Sequence, residues 1–530
     1  MPRKSSSRVA RKVTYVTLMG DESLNPKYEA ALKKLDGELG KSYPMYIGGK
    51  EVRSEAGEFE HRSPIDTSIV VGRFQIGTQE HAKASIRAAK KGFGVWSSKP
   101  WQERVRIFDK YAKLIDERKF DIAAAITLEV GKNRLEALAE CWEAIDAVKY
   151  YTAVMRREKG YVIKMGQGGP GERNTDVLKP HGVWPVISPF NFPFMLANGM
   201  AMGALLTGNS VILKPTSEAP LTGLMLYRLF VDAGVSPDAV NYVTGPGNNF
   251  EDEFVSSPDV DGIAFTGSRE VGMRLFRRFH TEQDYPKPIL LEMGSKNPTI
   301  VTAKADIQKA VEGTVRAAYG YGGQKCSATS RVYVQREVRQ KFLAALKDRA
   351  AKVSVGDPRE RQTFMGPLIN AKAVEIFRKA VDDAKLGGAE LVFGGDVLRS
   401  EKDGAGFYVA PTIVAGLPEE HRLVRQELFV PFVIVNEFSR VDEAVERANA
   451  TEYGLTAGIF TKDPTEVRKF FDGIKFGVTY ANRSGGSTTG AWPGAQSFTG
   501  WKASGATGKG VGSPYYLLTF LRDQSQTNVV

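Results

Sequence analysis

The chain has 530 residues, 42 % of them hydrophobic and 25 % charged, the balance of a soluble globular protein with two or three domains. No apolar run approaches the ~20 residues of a membrane span, and two cysteines and five histidines scattered along the chain form neither a disulfide framework nor a metal-ligand spacing. The net charge of +11 does not mark a nucleic-acid module, because Arg3, Lys4, Arg8, Arg11 and Lys12 crowd into an acid-free, Ser-rich tail while both signs mix elsewhere. We therefore expect a solvated tail and no metal, membrane or nucleic-acid partner. The sparse cysteines fit a reducing, cytoplasmic compartment.

After the tail, Tyr43-Pro-Met-Tyr-Ile-Gly-Gly-Lys50 reads as a short strand and turn. His81–Trp96 and Trp101–Arg118 carry helical apolar spacing, and Phe120–Val130 and Arg134–Tyr151 continue as helices broken at Gly131. Cys141 falls on the apolar stripe of the last of these and reads as packing. The glycine-rich segment 160–171 reads as a hairpin or linker.

From Leu178 the pattern changes. Short apolar runs at 183–188, 210–214, 239–243 and 262–266 alternate with helical stretches near 194–206, 220–233, 249–255 and 269–278. That alternation predicts a doubly wound parallel sheet, whose ligands bind beyond the C-terminal ends of the strands. The four runs are followed by Pro189-Phe-Asn-Phe-Pro193, Lys214-Pro-Thr-Ser217, Thr244-Gly-Pro-Gly247 and Gly267-Ser268. An amide, an ammonium and two Gly-bearing turns that open helices suit a dinucleotide, although the usual G-x-G-x-x-G pattern is absent. A second α/β series runs from about Thr299 to Tyr480, with strands at 329–334 and 432–437 and helices at 338–351, 374–386 and 441–450.

Early in that series lies Tyr321-Gly-Gly-Gln-Lys-Cys-Ser-Ala-Thr-Ser330. Glycines let backbone N–H groups approach a reacting atom, and a neighbouring cation, Lys325, favours the nucleophilic thiolate of Cys326. Taken alone, Cys326 reads about equally well as a small buried residue. Between the two series, Leu290-Leu-Glu-Met-Gly-Ser-Lys-Asn297 ends an apolar run on a carboxylate, Glu292, beside a glycine turn.

The order and spacing of these motifs, with Glu129-Val-Gly-Lys132 and Gln426-Glu-Leu-Phe429, resembles the aldehyde dehydrogenase superfamily from about Tyr43 to the C-terminus. The resemblance implies two doubly wound α/β domains, one Rossmann-like for the cofactor and one catalytic, plus a β oligomerisation element. Boundaries would fall at 1–40 for the tail and lead-in, 41–155 and 177–296 for the cofactor domain, 297–495 for the catalytic domain, and 156–176 with 496–530 for the oligomerisation element. It implies Cys326 as nucleophile, Glu292 as general base and the Asn191 amide as oxyanion donor. Cofactor contacts would come from Ser188, Pro189, Phe190, Lys214, Ser217, Gly247, Gly267, Ser268, Gly294, Glu427 and Phe429.

The chain departs from the pattern at three places. Ser217 stands where many NAD-preferring members carry a ribose-holding glutamate, which leaves NADP use open beside NAD. Ser295 replaces a common glycine, and Val430 replaces the glycine that usually follows the phenylalanine.

Two stretches resemble the branch that oxidises L-glutamate γ-semialdehyde: the segment Tyr43–Gly49 and the loop Thr489-Gly-Ala-Trp-Pro-Gly-Ala-Gln-Ser-Phe498. In that branch the backbone N–H groups at Gly490 and Ala491, with the Ser327 hydroxyl, would hold the substrate α-carboxylate, and Phe498 its aliphatic part. Tyr515–Val530 is expected to pair across a subunit boundary in a homo-oligomer, a dimer or larger. Two alternatives stay open. One is a dehydrogenase for another small acidic aldehyde such as succinic semialdehyde. The other is a non-catalytic binding protein on the same scaffold, against which Cys326, Glu292 and Asn191 together argue.

Overall fold

The structure is a computed structural model that describes residues 21–398, 406–485 and 491–530. The basic residues between Arg3 and Lys12, and the predicted anchor residue Gly490, lie outside the described residues.

Two seven-stranded sheets carry the fold. In the first, five parallel strands run in the spatial order Ile289–Glu292, Ile263–Thr266, Val183–Ser188, Ser210–Pro215 and Val240–Tyr242. Met45–Ile47 and Lys50–Val52 add antiparallel strands at one edge. Val211 to Leu213 are buried throughout, because helices cover both faces of such a sheet and its strands need apolar side chains on both. The chain leaves Val183–Ser188 toward one edge of the sheet and later returns on its other side as Ile263–Thr266. A crevice therefore opens beyond the C-terminal ends of these two strands, at the topological switch point.

The second sheet has Glu390–Phe393 antiparallel at one edge, then Thr412–Ala415, Phe432–Phe438, Thr329–Gln335, Asn297–Val301, Thr456–Phe460 and Val478–Ala481 in parallel. Only Met293 to Lys296 separate the end of the Ile289–Glu292 strand from the start of Asn297–Val301. The carboxyl ends of the first sheet thus face the amino ends of the second. Every predicted reacting group sits at one of those two ends.

One expectation needs correction. Trp101–Val130 is one continuous helix, not two: nothing at Lys119 breaks it, and burial of nine consecutive residues from Ile122 to Val130 holds its C-terminal half in the core. It ends at Gly131, whose φ of 74° is left-handed and where a Cβ would come 2.7 Å from Pro367 Cγ. At the chain end, Tyr516–Phe520 is a short 3-10 helix, and Leu521–Val529 pairs antiparallel with Glu172–Pro180 of its own chain, beside Val162–Lys164. Within the chain the strand extends the hairpin at 162–180 and stands at the edge of that three-stranded sheet.

Helix Arg134–Arg157 starts on Asn133, whose side chain accepts from Glu136 N at 2.9 Å. Cys141 is buried within it and donates to Lys119 O at 3.4 Å.

Candidate active site

Cys326 lies just before the Thr329–Gln335 strand and is half-buried. Asn297, at the first position of the neighbouring strand, donates to Cys326 O at 2.8 Å and Ala328 O at 2.9 Å, and accepts from Thr456 N at 3.0 Å. This buried amide pins the nucleophile loop to the sheet edge. Burial, then the nearby Glu292 and Glu427 carboxylates, push the thiol up to about 12. Lys325 does not act as the expected activating cation: its ammonium is buried and paired with Glu136 Oε1 at 2.6 Å, which cancels most of its field at sulfur.

Glu292 closes the Ile289–Glu292 strand. Its backbone oxygen accepts from Gly267 N at 3.1 Å, and its strand is flanked by Ser504 to Ala506. Its Oε2 is buried without a hydrogen-bond partner among the described residues, and burial pushes the carboxyl up to about 8. A carboxyl with that affinity exchanges protons near neutral pH.

Asn191 follows the Val183–Ser188 strand and is 3 % exposed. Its amide makes no hydrogen bond to any described residue.

The predicted cofactor residues gather along the crevice. Ser188 and Lys214 end adjacent strands, both buried. Lys214 donates to Pro215 O at 3.2 Å, and burial pushes it down to about 8. Ser217 donates to Gly245 O at 3.4 Å, while the next carboxylate, Glu218, accepts from Asn370 at 2.7 Å. Gly247 and Ser268 are the exposed N-caps of helices Asn248–Ser256 and Arg269–Glu282, and a Cβ at Gly247 would meet nothing within 4 Å. On the opposite wall, Phe429 packs edge-on against Phe190, with ring centroids 5.8 Å apart across the crevice. Glu427 Oε1 accepts from Ser295 N at 2.7 Å. Gly294 lets that approach happen, since a Cβ there would sit 2.2 Å from Glu427 Oε2.

The departures at Ser295 and Val430 are accommodated. Ser295 Oγ accepts from Asn297 at 2.8 Å, and Val430 is buried. A cleft of about 490 Å³ opens between the two walls, lined by Ser268, Arg269, Glu427 and Tyr453 among others. Exposed helix N-termini for phosphate, a carboxylate for ribose hydroxyls and a bare glycine surface fit a dinucleotide.

Of the predicted substrate anchors, Ser327 is buried beside Cys326, and Ala491 and Phe498 are half-buried. Phe498 N donates to Val511 O at 2.8 Å, which ties the loop to the stretch before the chain end.

Several site-building residues carry no local signal in sequence. Glu136, Glu140, Glu143 and Asp146 recur every three or four residues along helix Arg134–Arg157, so they share one face. Asp146 accepts from Trp492 Nε1 at 2.8 Å, and Tyr151 Oη accepts from Gly512 N at 2.6 Å. Burial and the adjacent Glu140 push Glu143 up to about 8. A row of acids on a helix ordinarily means a solvated face, and only the acidic spacing itself hinted otherwise. Glu129 has a different task. It accepts from Leu221 N at 2.5 Å and Thr222 N at 2.9 Å, capping helix Pro220–Ala233.

A sheet switch point facing the amino ends of a second sheet, with a cysteine near two carboxylates, suits an NAD-dependent dehydrogenase. Residues 52–525 match the model of the aldehyde dehydrogenase family, and the chain belongs to that family. Its relatives include the 1-pyrroline-5-carboxylate dehydrogenase of Geobacillus sp. (strain WCH70), 34 % identical over 94 % of this chain and 95 % of the relative. The 1-pyrroline-5-carboxylate dehydrogenase 2 of Bacillus subtilis (strain 168) is 35 % identical, again over 94 % and 95 %. Among solved structures, 1-pyrroline-5-carboxylate dehydrogenase from Thermus with bound NAD superposes with a TM-score of 0.92 at 33 % identity, covering 98 % of this chain and 99 % of that one. Betaine aldehyde dehydrogenase from Staphylococcus aureus reaches 0.88 at 27 % identity, over 93 % and 96 %. The expected fold class is the one observed. Among the described residues no helix is long and apolar enough to cross a membrane.

Proposed function

We propose that the protein oxidises L-glutamate γ-semialdehyde, the open form of 1-pyrroline-5-carboxylate, to L-glutamate, with NAD as hydride acceptor. The Cys326 thiolate adds to the aldehyde carbon, and the oxyanion that develops is held by the Asn191 amide and the Cys326 N–H. Bound in the crevice, NAD would supply the acceptor for the hydride lost from that carbon. A thioester on Cys326 remains. Glu292 accepts a proton from water as the water attacks the thioester, the C–S bond breaks, and the thiolate is regenerated. Lys214 and Glu427 hold the two riboses, with Gly247, Gly267 and Ser268 near the pyrophosphate and Ser188, Pro189, Phe190, Ser217, Gly294 and Phe429 completing the crevice. Ser327, Gly490 and Ala491 take the substrate α-carboxylate, and Phe498 its methylene chain.

The observation that carries this reading is the buried, unpartnered Glu292 Oε2 beside a cysteine thiol at the meeting of two sheet ends. The substrate assignment is supported by the names of the relatives, each matched over nearly its whole length. We propose the domain division given above. We further propose a homo-oligomer built on the 162–180 hairpin and the C-terminal strand, working in the cytoplasm, where Cys326 stays reduced.

The test is formation of reduced nicotinamide, followed by its absorbance, with 1-pyrroline-5-carboxylate, succinic semialdehyde and propanal, each with NAD and NADP. Preference for the first with NAD, abolished in Cys326→Ala, is expected. Preference for another aldehyde would overturn the substrate while keeping the mechanism. Comparable rates with NADP would show that Ser217 admits a 2′-phosphate.

A further inference from the structure

The Cys326 thiol accepts from backbone N–H groups of its own loop, at Cys326 and Ser327, so that loop must itself be placed. Asn191 has an amide without a hydrogen bond among the described residues, and Cys326 ends a loop whose backbone is left-handed at Tyr321, with φ 51°. One buried ion pair touches both loops. Lys132 Nζ lies 2.5 Å from Glu140 Oε2, with both side chains fully buried. Glu140 Oε1 accepts from Phe194 N at 2.8 Å and Met195 N at 2.9 Å, immediately after the Asn191 loop. The same Lys132 ammonium sits 3.5 Å from the ring centroid of Phe192, next to Asn191, and 5.2 Å from that of Tyr321, in the loop leading to Cys326. Tyr321 Oη in turn donates to Val130 O at 2.7 Å, two residues before Lys132.

We infer that the Lys132–Glu140 pair is a positioning device that fixes the Asn191 loop against the Cys326 loop, so that the oxyanion donor and the nucleophile address one carbonyl group. This rests on the oxyanion reading of Asn191 given above. The physical case is one of geometry. The pair holds the loop through two N–H groups on one side and a ring face on the other, and a cation between two rings gives the loops a common reference. A pair serving stability alone has no reason to touch both loops; a buried ion pair is in general a poor source of stability, because desolvation offsets its attraction.

The test uses the full chain with the double variant K132M/E140Q, which removes both charges while the side-chain amide that replaces the Glu140 carboxylate keeps an oxygen for the Phe194 and Met195 N–H groups. NAD binding by fluorescence and near-ultraviolet circular dichroism establish that the variant is folded. We expect kcat to fall about 10–100-fold, short of the roughly 100–1000-fold loss for Asn191→Ala, with KM for NAD changed less than about twofold. Placed in the Asn191→Ala background, the double variant should cost little more, since there is no donor left to misplace. An unchanged kcat, or a loss fully additive with Asn191→Ala, overturns the positioning role. Full activity in Asn191→Ala alone would instead remove the oxyanion reading, and the inference with it. Should K132M/E140Q fail to fold, E140Q alone is carried through the same cycle with the same expectations.

Discussion

In the free protein Cys326, the proposed nucleophile, is reluctant to ionise. Burial and two carboxylates disfavour its thiolate, and the Lys325 ammonium is already committed to Glu136. The two carboxylates do not contribute equally at all pH values, because Glu292 itself is pushed up to about 8. Below that pH it is mostly neutral, and above it its charge opposes ionisation of the thiol. Glu292→Gln removes that charge. Alkylation of Cys326 by iodoacetamide at pH about 9 should then run about 3–10 times faster than in the unsubstituted protein. The same variant should release little NADH beyond the first turnover, since water attack on the thioester loses its base. Slower alkylation in the variant would mean that Glu292 deprotonates the thiol rather than repelling its charge.

Helix Arg134–Arg157 is the element on which the site is hung. Its acidic face reaches the nucleophile loop through Glu136, the oxyanion loop through Glu140 and the predicted anchor loop through Asp146, in that order along the axis. Hydrogen bonds to a charged acceptor are the stronger kind, so Asp146 should decide how well the segment at Trp492 is ordered before substrate arrives. Asp146→Ala is expected to raise KM for 1-pyrroline-5-carboxylate about tenfold, with kcat changed less than about threefold, because it removes binding and leaves the reacting groups in place. Steady-state kinetics decide it. A fall in kcat with KM unchanged would place Asp146 in the chemistry and contradict this division of labour along the helix.

At the scale of the molecule, the fold buries an unusual set of acids. Burial pushes Glu129 and Glu427 up to about 7, and Glu292 and Glu143 up to about 8. Each is raised above its unfolded value, so the folded protein binds protons that the unfolded chain has released. Their contribution to stability is fully present below pH about 4.5 and is lost as pH rises through about 7–8. Between pH about 5 and 8, therefore, thermal unfolding of the Glu292→Gln variant should depend less steeply on pH than that of the unsubstituted protein. Identical slopes would show that Glu292 is ionised in the folded state at neutral pH.

Much of this was legible in the sequence, and the reason is local. Alternating apolar runs and helical stretches announce a parallel sheet because each strand must be buried on both faces, and the residues after each run mark the ligand end. Cys326, Glu292 and Asn191 stand out because their neighbours are glycines and turn formers, whose spacing survives in one dimension. What the sequence could not carry is pairing between distant side chains. Lys325 read as an activating cation until Glu136, 189 positions away, was found against it. The acids of helix Arg134–Arg157 carried no signal of their own, and Lys132 read as one more member of a motif. Which edge the C-terminal strand joins within its own chain, that of Glu172–Pro180, is likewise decided in space. Local rules of burial and backbone geometry determined the elements, and the family resemblance of the motifs marked the reacting groups; only the tertiary structure decided which charges neutralise one another, because that depends on separation in space, about which order along the chain says nothing.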